Sequence, residues 1–394
     1  MVKASDGYID RVKNKGYMYY RYRIRNNGQR YQVYAAKRRD LTAKIEELVD
    51  KLNAGQRPER ITVGGWCQIW LREAAANTVK AKTRENYEKT VRNHILPRWG
   101  KMPLNRLSGQ DIQGLINDLA ADHEASTVNT IRTHIIVCMN TAVKWGYLAS
   151  NPAKMTKGVK KSKIGAKAMT VEESQRLLHA CADAVKQAAA EGDEAKTYLV
   201  KCYETVVYIA LTTGMRQGEI LALRPQDIDF EENMIHVSKN LSSARGGAKL
   251  DTTKTGKARN VSITAETADK IREWIKYQEL FEKEFFGIFV NKMNLLFTNS
   301  AGGAINQANF ATRYFRLLLA RTGLTGYTFH SLRHTHATQL LMSGVHAKVV
   351  QERLGHSNLA TTMNIYVHAM PNLQGEAIAA TERIEKKWSD SDHS

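Results

Sequence analysis

Near the start of the chain, apolar and polar residues alternate. In Met18 to Arg25 the apolar Met18, Tyr20, Tyr22 and Ile24 alternate with Arg21, Arg23 and Arg25. That period of two predicts a strand with one packed face and one cationic face. Asn26-Asn27-Gly28 supplies a hairpin turn, Arg30 to Tyr34 the returning strand, and Gly7 to Val12 a third strand before the turn at Asn14-Lys15-Gly16. Leu41, Ile45, Leu48 and Leu52 then recur at helical spacing. Asn53 to Arg60, with Gly55 and Pro58, reads as a polar linker.

From Ile61 to Pro152 the pattern is helical, with segments at Trp66 to Ala75, Lys82 to His94, Ser108 to Leu119 and Ser126 to Trp145. Ser108 with Asp111 resembles a capping box, Asp replacing the usual Glu, and Asn151-Pro152 closes the segment. Lys154 to Lys167 holds six lysines, two glycines and no acid. Thr170 with Glu173 opens the next helix, followed by helices at Lys201 to Leu211 and Gly218 to Leu223. Short strands are expected at Met234 to Ser238 and Arg259 to Ile263, with helices resuming from Ala265 to the end. No internal repeat or low-complexity tract is visible. The expected division is 1–55, 61–153, a basic linker 154–169, and 170–394. The fold class is multidomain and mainly α with small β-sheets: a three-stranded sheet plus helix, a helical domain, and a mixed α/β domain.

Charge changes the picture more than composition does. The 394 residues carry a net charge of +19, and residues 1 to 39 hold eleven Lys and Arg against two Asp. Such an excess points first to nucleic acid and second to an anionic membrane surface. No run approaches the roughly 18 apolar residues of a membrane span, and the opening MVKASDGYID lacks the apolar core of a signal peptide. The four cysteines are scattered without a CxxC pair, so neither a disulfide framework nor a zinc site is suggested. The chain reads as cytoplasmic. Arg21, Arg23, Arg25 and Arg30 form either a face for a DNA groove or a solvated basic edge that resists aggregation. Lys82 and the linker residues Lys160, Lys161 and Lys163 are further candidates for DNA contact; a stretch like the linker is also commonly just solvated.

Three segments of the last domain stand out: Thr213-Gly214-Met215-Arg216-Gln217-Gly218-Glu219, His330-Ser331-Leu332-Arg333-His334-Thr335, and Leu354-Gly355-His356-Ser357, with Tyr366 ten residues beyond His356. Taken singly they are weak; their order is specific. Two arginines, Arg216 and Arg333, could grip the non-bridging oxygens of a phosphodiester as planar forks, which lysine cannot copy. A tyrosine hydroxyl titrates near pH 10, so Tyr366 would need cations and a base beside it to attack. Glu219 reads as holding Arg216 or a helix start, and His334 and His336 as packing groups. His236 and His368 receive no role. No phosphate-cradling P-loop is present, no carboxylate cluster suggests a two-metal nuclease, and no cofactor is implied.

In order and wording these boxes resemble the tyrosine recombinase, or phage-integrase, family, and integrases of temperate phages and conjugative transposons in particular. Thr83, Tyr87, His94-Ile95, Pro97, Gly100, Leu104, Leu107 and Asn151-Pro152 look like that family's helical core-binding domain, and the basic sheet like its arm-binding domain. The resemblance implies a site-specific recombinase that integrates or excises a mobile element through a 3′-phosphotyrosine at Tyr366. It implies Lys254, in Thr253-Lys254-Thr255-Gly256, as general acid, with Lys257 the competing choice. His330 would assist proton transfer and His356 would hydrogen-bond the phosphate. Double-stranded DNA at core and arm sites, a homotetramer on DNA, and an excision factor or host DNA-bending protein are the implied partners; a membrane is not. Ala377, Ile378, Thr381, Ile384, Glu385 and Trp388 fall near helical spacing, for a tail that packs on its own domain or, as the resemblance implies, on a neighbouring protomer. Two rivals stand beside the recombinase: a type IB topoisomerase, and a DNA-binding regulator that no longer cuts.

Overall fold

The computed structural model describes residues 3–14, 17–26, 29–53, 61–75, 78–160, 167–244, 247–253, 256–360, 362–363, 365, 378 and 381–385. They form two compact units, Met1–Ser162 and Lys163–Ser394. Of the expected linker Asn53 to Arg60, Asn53 ends a helix and residues 54–60 lie outside the described residues, as do the turn residues Lys15, Gly16, Asn27 and Gly28.

The first unit opens with three antiparallel strands in the order β1 (Tyr8–Asn14), β2 (Tyr17–Asn26), β3 (Gln29–Ala35). Helix α1 (Arg38–Asn53) lays Leu41, Ile45 and Leu52 on Tyr22, Ile24 and Ala35, all buried. The period-two reading of β2 therefore holds at its centre. It fails at Met18, which is 56% exposed. Ala35, the last residue of β3, pairs with Tyr20, so Met18 sits on a two-stranded ribbon with no third strand beside it.

The rest of this unit is helical: α2 (Val63–Ile69), α3 (Ala81–Thr90), α4 (Leu96–Trp99), α5 (Gly109–Asp122) and α6 (Ala125–Lys144). Around a core that includes Trp66, Trp70, Ile112, Leu115, Ile135 and Met139, α2 continues into a π-helical turn, Trp70–Ala74, and α3 into another, Val91–Ile95. The expected capping box is present: Ser108 Oγ accepts from Asp111 N at 3.1 Å, and the Asp111 carboxylate accepts from Ser108 N at 2.9 Å. Asn151 caps the closing turn by accepting from Ala153 N at 2.8 Å while its Nδ2 donates to Ile136 O at 3.0 Å.

The second unit runs α7 (Val171–Ala190), α8 (Glu194–Thr213), α9 (Gln217–Ile220), β4 (Ile228–Asp229), β5 (Met234–Val237), β6 (Lys239–Ala244), β7 (Gly247–Thr252), β8 (Arg259–Ser262), α10 (Ala265–Glu284), α11 (Gln307–Asn309), α12 (Arg316–Arg321), α13 (Phe329–Met342) and α14 (Ala347–Leu354). β4, β5 and β8 make one antiparallel sheet, and β6 and β7 a separate hairpin. The core gathers Tyr198, Val206, Ile209, Trp274, Phe297, Phe310 and Phe315. Thr170 and Glu173 form the expected capping box at the head of α7.

Two expectations need correction. The helix at Gly218 to Leu223 stops at Ile220, and Arg224, directly before Pro225, is extended (φ −119, ψ 157), as proline requires of the residue before it. Residues 285–306 are turns rather than helix. There Asn side chains supply the backbone with partners that compete with a helix: Asn291 Oδ1 accepts from Leu295 N at 2.9 Å, and Asn299 Oδ1 from Gly303 N at 2.9 Å. The cysteines Cys67, Cys138, Cys181 and Cys202 are all buried and unpaired. Among the described residues no helix is long and apolar enough to cross a membrane.

Candidate active site

The site grows from the end of one short helix. α14 terminates at Leu354, and Gly355 closes it in the left-handed conformation (φ 67). The last turn of a helix leaves carbonyls without helical partners, at the negative end of the helix dipole. Here three consecutive carbonyls each accept from a different arginine. Arg353 O takes Nε of Arg259 at 2.9 Å, Leu354 O takes Nη2 of Arg333 at 2.7 Å, and Gly355 O takes Nη2 of Arg216 at 3.1 Å. The two arginines that the motifs single out, from the head of α9 and the first turns of α13, are thus seated side by side.

Their other contacts separate their roles. Arg333 is 3% exposed, and its Nη1 donates to Gly214 O at 2.8 Å. Burial, then the charge of Arg216, push its guanidinium down to about 9, which leaves it a cation at neutral pH. Gly214 ends α8 at φ 66, where a Cβ would lie 2.5 Å from Leu354 Cδ2, so glycine lets α8 approach α14. Arg216 caps α9 and donates Nη1 to Glu219 Oε1 at 2.8 Å. Arg259 takes both oxygens of the same carboxylate, at 3.1 and 2.7 Å. Burial pushes Glu219 up, but its bonds and charges with Arg259 and Arg216 outweigh that and hold it below the usual range. Two guanidiniums therefore share one carboxylate, with Arg333 held on carbonyls beside them, and the surplus positive charge suits an anion.

Histidines border this cluster. His330, exposed on the first turn of α13, meets the ring of His334 edge-on at 4.9 Å. His334 Nδ1 is buried, and no partner for it lies among the described residues. His356 Nδ1 lies 2.9 Å from Thr362 Oγ1. Burial, then Arg333 and Arg216, push His356 down to about 3, so its ring is neutral at physiological pH. His336 is buried beneath the site. Its Nδ1 bonds Leu211 O at 2.8 Å, and its Nε2 accepts from Arg353 Nε at 3.0 Å.

The structure brings Arg216, Arg333, His330 and His356 into one neighbourhood. Tyr366 and Lys254 lie outside the described residues, as do Lys161 and Lys163. Lys257 is exposed, and its carbonyl accepts from Thr253 Oγ1 at 2.9 Å. Lys160 is exposed, and Lys82 pairs with Glu85 at 3.0 Å. In the N-terminal sheet the cationic face is less free than its period suggests: Asp10, in register with Arg21, accepts from both Arg21 and Arg23 at 2.6 Å. Arg23 also lies 4.6 Å over the ring of Tyr8, whereas Arg25 and Arg30, directly opposite one another, are exposed. Sequence reasoning missed Arg259 and Arg353 as members of the site. Half of their bonds run to backbone carbonyls and the rest to the distant side chains of Glu219 and His336, and no residue spacing marks such partners.

Residues 167–372 match the model of the Phage integrase family, and residues 62–120 that of the phage integrase N-terminal SAM-like domain. A tyrosine recombinase XerC-like protein of Caldanaerobacter subterraneus subsp. tengcongensis is 28% identical over 394 residues, covering 93% of this chain and 96% of that one. The ICEBs1 integrase of Bacillus subtilis is 26% identical, over 74% of this chain and 75% of its own. Among solved structures, the Tn1549 transposon integrase in complex with a circular intermediate DNA superposes with a TM-score of 0.64. It is 22% identical and covers 81% of this chain and 99% of that one. A lambda integrase dimer bound to a COC′ core site gives 0.57 at 18% identity, over 92% and 94%. At these identities the structural likeness concerns the fold.

Proposed function

The chain belongs to the phage integrase family and is a tyrosine-type site-specific recombinase, an enzyme that cleaves and rejoins DNA; on that footing we propose that Arg216 and Arg333 clamp the scissile phosphate for attack by Tyr366. The support is the seating of both guanidiniums on the adjacent carbonyls of Leu354 and Gly355. Fixed donors aimed where charge develops cost no reorganisation during the reaction. Arg333, whose bonds run to neutral carbonyls, keeps its full charge for the phosphate.

The hydroxyl of Tyr366 gives up its proton, which His330 would take, and its oxygen forms a bond to phosphorus; the bond from phosphorus to the 5′ oxygen breaks, and that oxygen takes a proton from Lys254, or from Lys257. The 3′ end is then held as a phosphotyrosine. A 5′-hydroxyl from the other site reverses the steps, so the phosphodiester's energy is conserved and no nucleotide is consumed. The neutral His356, accepting from Thr362 through Nδ1, would donate Nε2–H to a non-bridging oxygen, and the exposed His330 would pass protons.

The substrate in this reading is double-stranded DNA from a phage or conjugative transposon. The helical domain would take core sites, and the N-terminal sheet, through Arg21, Arg23, Arg25 and Arg30, would take arm sites. Lys82, Lys160, Lys161 and Lys163 would cross phosphates, a homotetramer would hold two duplexes, and an excision factor or host DNA-bending protein would set direction. The three-part division 1–55, 61–153 and 170–394 belongs to the same proposal.

A suicide substrate nicked near the crossover, incubated in EDTA, tests the core of it. A covalent adduct mapping to Tyr366 and absent from Tyr366→Phe is the expected result. Tight DNA binding without an adduct would overturn it in favour of a regulator.

A further inference from the structure

We propose that Arg353 is a positioning residue for the phosphate clamp, holding the last turn of α14 so that its carbonyls space Arg216 and Arg333 correctly. α14 spans only eight residues, and its apolar anchors, Val350 and Leu354, fix it against Ala337 and Leu341 of α13. Helices this short are marginal on their own, so the register of the final turn depends on its contacts. Arg353 supplies three of them from one planar group. Nη1 donates to Ser262 O at the end of β8 (2.8 Å), Nη2 to Thr212 O in the last turn of α8 (3.2 Å), and Nε to His336 Nε2 on α13 (3.0 Å). All three acceptors are neutral, so the arginine serves as a bracket rather than as half of an ion pair. Its own carbonyl holds Arg259, the residue that clamps Glu219.

His336 completes the bracket. To accept from Arg353 at Nε2 it must carry its proton at Nδ1, where it donates to Leu211 O at 2.8 Å. One end of α8 is thus gripped twice, at the Leu211 and Thr212 carbonyls, while Gly214 of the same end receives Arg333. Both seats of Arg333, Gly214 O and Leu354 O, hang from the elements that Arg353 ties together. A lysine, whose three donors sit on one nitrogen, could not reproduce this planar spread of bonds.

The inference rests on the reading that Arg216 and Arg333 grip a phosphate oxyanion, and its test separates the two. Full-length Arg353→Met, His336→Asn and Arg333→Ala are compared on two suicide substrates, one with an ordinary scissile phosphodiester and one with a methylphosphonate there. In both, the tyrosine–phosphorus bond forms and the bond to the 5′ oxygen breaks. The methyl group removes the charged oxygen that the clamp serves. His336→Asn keeps a donor for Leu211, but its shorter side chain places no acceptor where Nε2 stood, so it releases the bracket. Cleavage of the phosphodiester by Arg353→Met should fall about 100-fold, as expected for an ångström-scale misplacement, while methylphosphonate cleavage stays within about threefold. His336→Asn should show the same contrast, weaker. An equal loss on both substrates, or no loss, overturns the positioning role. If Arg333→Ala itself fails to discriminate between the substrates, the clamp reading fails instead.

Discussion

Arg259 holds both oxygens of Glu219, at 3.1 and 2.7 Å, and so turns one buried carboxylate into the orienting partner of Arg216. Replacing Glu219 with Gln keeps the shape and removes the charge, leaving two arginines facing each other with little exposure. Breaking a buried pair of this kind costs about 3 kcal/mol or more. For a unit of this size, thermal unfolding should therefore begin roughly 6–12 °C lower. An unchanged melting curve for Glu219→Gln would mean that solvent, rather than Glu219, compensates the two arginines.

Gly355 is the hinge of the arginine seats. Alanine there would be forced into the left-handed region, at a cost of about 1–2 kcal/mol. Its Cβ would also meet Arg259 side-chain atoms at 3.1–3.2 Å. Gly355→Ala should lose stability modestly and cleavage severely, since Arg259 must shift and its carboxylate partner with it. Measuring adduct formation beside the melting temperature checks this; parallel small losses in both would sink it.

Acid should weaken the second unit before its carboxylates titrate. His336 and His356 are held down to about 4 and about 3, against an ordinary 6.5, chiefly by burial and then by neighbouring arginines. The unfolded chain therefore binds protons in a range where the folded one does not, and stability falls as pH drops from about 6.5 toward 4. In His336→Asn that fall should be shallower over the same window. Melting temperatures at half-unit pH intervals decide the matter, and identical slopes for both proteins would count against it.

The N-terminal sheet offers a test through salt. Asp10 occupies Arg21 and Arg23, and the arginine bonds hold its own carboxyl low. If the sheet lies on DNA, Asp10→Asn should free cationic contacts. Each phosphate newly neutralised steepens the dependence of log affinity on log salt by about 0.9. A titration series between low and moderate salt should show a steeper slope for the variant; an unchanged slope would place the arginine face away from DNA.

What the sequence discloses here depends on the kind of partner each residue has. Tyr22 and Ile24 were legible because burial of one strand face imposes a period of two, and Ser108 with Asp111 because capping works at fixed spacing. Arg216 and Arg333 were legible because their motif neighbours include the glycine and helix-start residues that their positions require. The pairing of Asp10 with Arg21 was not, since it depends on a register that no single strand specifies. Arg353 was hidden for a stricter reason: two of its three acceptors are main-chain oxygens, the same in every residue, so nothing in the letters marks them as ligands.

That same fact bears on how such a site can change over time. The three arginines rest on oxygens that no point substitution can delete, because every residue at 353, 354 or 355 would carry the same group. Most drift in α14 therefore leaves the seats in place, and the surrounding surface is free to vary with each new DNA target. Beyond the Arg353 side chain itself, the vulnerable changes are those of length and of chain direction: one inserted residue, or the loss of glycine at 355, would shift every seat at once.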